Sequence, residues 1–156
     1  MIAHCCKPYQ TQLGGEEKHF SSSGHSVTEQ GKTFRLQSNQ IRFCKIQIDG
    51  GIFPKGTPHL KCDWVFVLCD SQHLYFIELK GNGIPAERSV EQIVSTIVFF
   101  KQKIHPPALA KNQIFGIVVG SRMPRNTDRW RKLQDDFRKH HGQKLDRQDA
   151  VYELTI

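Results

Sequence analysis

CDWVFVLCDSQHLYFIELKG, residues 62–81, decides how this chain is read. Two apolar runs flank Ser71-Gln72, which reads as a tight connection, so the stretch is expected to form an antiparallel hairpin. Centring the turn between Ser71 and Gln72 sets Asp63 opposite Lys80 and Val65 opposite Glu78. Side chains alternate along a strand, and opposed residues share a face. Asp63, Glu78 and Lys80 therefore emerge together, beside Val65, Val67, Leu74 and Phe76. Trp64, Phe66, Leu68, Tyr75, Ile77 and Leu79 make the other face, which is wholly core-like.

Charge on an apolar strand is costly unless it is paired or binds a metal. On this register Asp63 and Glu78 stand diagonally, with backbones roughly 7 Å apart. Two carboxylates at that spacing can share a cation whose oxygen ligands lie at about 2.1 Å. A slip of one residue would send them to opposite faces. The ordinary alternative is an ion pair between Lys80 and either acid, but two acids against one lysine leave a surplus negative charge.

Working outward, residues 1–31 are polar and rich in Ser, Gly, His and Gln, and read as an N-terminal arm of loop or short helix. From Lys32 the texture becomes that of a single folded domain, residues 32–156. FRLQ and IRFCKIQID read as strands, the second closed by the turn signal Asp49-Gly50-Gly51. Pro85 suits a helix start, and Ala86, Val90, Ile93, Ile97, Phe100 and Ile104 recur at helical spacing. QIFGIVVG (113–120) reads as a central strand. Thr127 opens a second helix with Trp130, Leu133 and Phe137 on one stripe, ending near Gly142. AVYEL suits an edge strand. The expected fold is α/β: a central mixed β-sheet covered by helices on both faces.

Composition sets the class. The chain is 38% hydrophobic and 24% charged, the balance of a folded protein. No apolar run approaches a membrane span, and the start MIAHCCKPYQ lacks a signal-peptide pattern, so a cytoplasmic protein is expected. On that basis the five cysteines are expected to be reduced. His4-Cys5-Cys6 could open a zinc site, but no CxxC or HxxxH partner follows. The net charge is +7, and between Arg122 and Arg147 nine Lys/Arg stand against four Asp/Glu. A basic surface of that kind suits a polyanion such as nucleic acid.

Asp63, a hairpin, and then Glu78-Leu79-Lys80 at the end of an apolar strand resemble the PD-(D/E)XK nuclease superfamily, which includes restriction endonucleases and Holliday junction resolvases. Gln92 on the following helix resembles the glutamine that several branches add. The resemblance runs from about Ile41 to Gly120. It implies a restriction endonuclease-like core and a Mg²⁺-dependent endonuclease acting on DNA, with Mn²⁺ able to substitute. It further implies Asp63, Glu78 and the Leu79 backbone carbonyl as metal ligands, with Lys80 and Gln92 as the other catalytic residues. The chain departs from the pattern in three places. Cys62 stands where a proline is usual, Thr96 stands where a tyrosine follows the glutamine in some branches, and no clear first helix supplies a further acid. Glu16, Glu17, Glu29 and Asp49 are candidates for that acid, Glu29 being nearest the core.

Lys61, Arg88, Arg122 and Arg125 are candidate phosphate contacts. A two-fold homodimer would cleave both strands of a duplex symmetrically. Two other readings stay open. One keeps the fold as a catalytically degenerate nucleic-acid-binding module. The other is an unrelated α/β domain with Asp63 and Glu78 on opposite faces.

Overall fold

The computed structural model describes residues 4–38, 40–55, 61–80, 84–105, 108–120 and 127–156. Among them nine strands and three α-helices form a mixed α/β fold. One six-stranded sheet runs in the order β1 (Phe20–Ser21), β4 (Phe43–Gln47), β5 (Trp64–Leu68), β6 (Leu74–Lys80), β7 (Ile114–Gly120), β8 (Lys144–Gln148). The first four strands pair antiparallel, and β6, β7 and β8 are parallel. A second sheet orders β2 (Ser26–Glu29), β3 (Lys32–Leu36) and β9 (Val151–Leu154).

Helices on both faces were the expectation, and the described residues overturn it. The helices α1 (Lys7–Leu13), α2 (Ala86–Lys103) and α3 (Thr127–His140) all contribute to one core, through Tyr9, Leu13, Ile93, Ile97, Phe100 and Phe137. The opposite face is covered by the small sheet, which buries Val27, Phe34 and Leu36 against Phe66, Ile77, Leu79 and Val119. The reason is economical: β2 and β3 alternate exposed and buried residues, so that hairpin has one apolar side to place. Both faces of β6 are covered, and six of its seven residues are buried.

The polar arm is also more ordered in its packing than expected. Cys6, Tyr9, Leu13, Phe20 and Val27 are all buried. The cysteines are not the five reduced thiols expected either. Cys5 is bonded to Cys69 and Cys6 to Cys44, which removes the His4-Cys5-Cys6 zinc site and leaves Cys62 as a buried free thiol. Partners 64 and 38 residues apart cannot be paired from spacing alone. No helix among the described residues is long and apolar enough to cross a membrane.

α2 follows its pattern closely. Pro85 occupies the N-cap, Glu87 lies in the first turn and Lys101 and Lys103 in the last, each favourable to the helix dipole. Val90, Ile93, Ile97 and Phe100 form the buried stripe. The strand β8, with sequence KLDRQ, was not expected. Only Leu145 of its five residues is buried, so it carries no apolar alternation.

Candidate functional site

The hairpin is built, but its register differs from the expected one. The connection between β5 and β6 spans residues 69–73, with Gln72 at φ 59°, rather than closing tightly at Ser71-Gln72. Trp64 therefore pairs with Ile77 and Val65 with Phe76, two places from the sequence-based register. An even shift preserves which face each side chain takes. Continued by one residue, this register sets Asp63 directly beside Glu78, not opposite Lys80. The Leu79 amide N–H donates to Asp63 Oδ2 at 2.7 Å and holds that carboxylate against the end of β6. The arrangement with the two acids on opposite faces is thereby excluded.

In a strand, the N–H and C=O of one residue point to the same edge. The Leu79 carbonyl thus faces the side on which Asp63 lies. Lys80 Nζ stands 3.8 Å from Glu78 Oε1, an ion pair rather than a hydrogen bond.

Glu78 is fully buried, and no donor reaches either of its carboxylate oxygens. Leaving a buried polar group without a partner costs about 1–3 kcal/mol, and more when it is charged. Burial is the largest influence on its carboxyl and pushes its pKa well above the usual range. Asp63 adds to the push, since the two carboxyls lie close enough to share a proton.

A third acid joins them. Glu29, at the end of β2, has its pKa raised to about 7, first by burial and then by the charge of Asp63 and a hydrogen bond with it. Asp49 raises both Glu29 and Glu78, whereas Lys55 lowers Glu29. Of the acids considered from sequence, Glu29 is thus the one brought to the Asp63 carboxyl. Glu16 and Glu17 are exposed, and Glu16 pairs with Lys18 at 3.3 Å. The signal that could have placed Glu29 is the Glu29-Gln30-Gly31-Lys32 turn, with Gln30 and Gly31 both at positive φ. That turn reads as a two-residue hairpin loop.

Around this cluster α2 lays a polar stripe over the chain entering β5. Thr96 accepts the Cys62 N–H at 2.8 Å and donates to the Gln92 carbonyl at 2.9 Å. Gln92 donates through Nε2 to the Lys61 carbonyl at 3.4 Å, while its Oε1 is buried without a partner. Thr96, which stands where a tyrosine was looked for, is fully buried and positions the backbone just before Asp63. Thr96→Val is expected to destabilise the protein by about 1–3 kcal/mol, because the Cys62 N–H loses its acceptor. Urea unfolding with an unchanged slope checks it.

The phosphate-contact candidates fare unevenly. Lys61 is turned inward, with Nζ 4.8 Å from the Phe53 ring centre and 5.2 Å from that of Phe99, and burial lowers its pKa. It is therefore not presented to a phosphate. Arg88 is exposed on the first turns of α2. Arg122 and Arg125 lie outside the described residues. Of the basic residues on α3, Arg131 and Arg138 pair with Asp128 and Asp135, so part of that charge is locally offset.

Among the described residues no three His, Cys, Asp or Glu side chains stand in a ready-made metal-binding geometry. The donor set nevertheless suits a hard cation. It consists of carboxylates drawn to one point, with both oxygens of a fully buried glutamate left without a donor. Comparison with known proteins finds no matching family model, curated protein or solved structure.

Proposed function

We propose that this chain is a Mg²⁺-dependent endonuclease that hydrolyses DNA phosphodiester bonds, on a restriction endonuclease-like core of the PD-(D/E)XK type. The observation that carries the reading is Glu78: wholly buried, beside Asp63, with neither oxygen satisfied. An ion pair with Lys80 alone leaves Asp63 and Glu29 as surplus acids. A divalent cation would offset all three.

Asp63, Glu78 and Glu29 would hold the cation, with the Leu79 carbonyl turned to the same edge. Mn²⁺, which also takes oxygen ligands, would substitute. A bound divalent ion lowers the pKa of a water molecule and offsets charge on the phosphate. The rest falls to the chain. Lys80, paired loosely with Glu78, orients the attacking water or offsets negative charge as the phosphate is attacked. The Gln92 amide, anchored on the Lys61 carbonyl, presents its oxygen to water. Arg88 and the basic helix α3 suit the polyanionic substrate, and the net charge of +7 favours its approach. A homodimer would place two such sites on the two strands of a duplex.

The second reading, a nucleic-acid-binding module of the same fold without chemistry, draws on one observation: the carboxyls are close enough to hold protons between them. Plasmid nicking separates the two. Supercoiled plasmid DNA with Mg²⁺ should be nicked by the wild type, not after chelation, and at least about a hundredfold more slowly by Lys80→Ala. Tight plasmid binding with no nicking under any divalent ion would favour the binding module.

A further inference from the structure

Six buried side-chain polar atoms among the described residues have no hydrogen-bond partner. Four of them belong to one neighbourhood: both oxygens of Glu78, Ser89 Oγ and Gln92 Oε1. Ser89, Gln92 and Thr96 follow one another at helical spacing and form a single stripe on α2. Thr96 and Gln92 already contact the backbone of Cys62 and Lys61, so the stripe faces the chain that delivers Asp63.

The level of Ser89 follows from a nearby contact. The Phe76 and Phe100 rings meet with centres 5.0 Å apart and tie β6 to α2. From Phe100, Gln92 and Ser89 lie roughly 12 Å and 16 Å back along the helix axis. From Phe76, Glu78 and Lys80 lie roughly 7 Å and 13 Å along the strand. The two residues therefore stand over the charged end of β6.

The chemistry of the four atoms names what belongs among them. The Glu78 oxygens and Gln92 Oε1 only accept, and Gln92 Nε2 is spent on Lys61. Ser89 has a single hydroxyl proton to give, so it cannot satisfy the set. A serine in a helix usually bonds back to the carbonyl one turn earlier. Here that carbonyl, of Pro85, already takes the N–H groups of Arg88 and Ser89, and the hydroxyl makes no bond. Water supplies two protons and accepts from Ser89. A buried, polar site with several partners is where ordered water is found.

We propose that Ser89 Oγ and Gln92 Oε1 hold ordered water against the Glu78 carboxylate, and that Ser89 is a positioning residue for hydrolysis. The inference rests on the nuclease reading above, and its failure has a different signature. Ser89→Ala should lower kcat for plasmid nicking about 10- to 100-fold while KM and the Mn²⁺ dissociation constant stay within about twofold. It should also lower Tm, because the water's remaining partners lose a donor or acceptor. An unchanged kcat, or an unchanged or raised Tm from deleting a hydroxyl that held nothing, would overturn it. A wild type that nicks nothing would instead sink the nuclease reading, and the sign of the Tm change would still decide the water site.

Discussion

Glu78→Gln should abolish nicking, by at least about a thousandfold, and at the same time raise the melting temperature of the metal-free protein at pH 8. The two effects have one cause. A carboxylate with no donor on either oxygen is poorly placed in an apolar interior, and only a partner outside the chain would justify it. The glutamine is close to isosteric, carries no charge, and offers its amide to Asp63. Relief of an unpartnered buried group is worth about 1–3 kcal/mol, and each kcal/mol moves Tm by about 2–4 °C in a chain of this length. A thousandfold loss corresponds to about 4 kcal/mol of transition-state stabilisation. Thermal scans beside nicking assays give both numbers. A variant that is less stable than the wild type and equally active would show that Glu78 is a structural residue already content with Lys80.

The metal-free protein should be most stable near pH 4–5 and lose stability as pH rises through 7, and added Mn²⁺ should restore it only at the higher pH. The sign follows from Glu29, raised to about 7, and Glu78, raised further, each chiefly by burial and then by Asp63. Both bind protons more tightly folded than unfolded. Their contribution is therefore complete below the ordinary carboxyl pKa of 4.5 and is lost as pH climbs through their folded values. A cation binds the ionised forms and must displace those protons, so its affinity should rise about tenfold per pH unit for each proton released. Melting curves from pH 4.5 to 8.5, with and without Mn²⁺, measure this. A stability maximum at pH 7–8 without metal would mean the cluster is satisfied as it stands.

Sequence carried some of this well and some not at all. The α2 stripe was legible because burial on one helical face leaves a period in the residues themselves. The shared face of Asp63 and Glu78 was legible too, since parity survives an even register shift. Which residues oppose one another was not. That depended on a five-residue connection with Gln72 at positive φ, which two apolar runs do not specify. The cover of the second face was missed because Lys32–Leu36 and Val151–Leu154 pair over more than a hundred residues. Glu29 came within reach through that same packing, so nothing local to Glu29 could have ranked it firmly above Glu16 or Glu17. β8 had no apolar alternation to find.

Calorimetric titration of Mn²⁺ into the wild type and Glu78→Gln at pH 7.5 bears most directly on the claim that these carboxylates form a metal site. The wild type should show saturable binding with protons released, seen as a heat that changes with the buffer's ionisation enthalpy, and the variant should show none. Equal heats from both proteins, or no saturable binding by either, would contradict the metal site and leave the charged end of β6 as a structural ion pair.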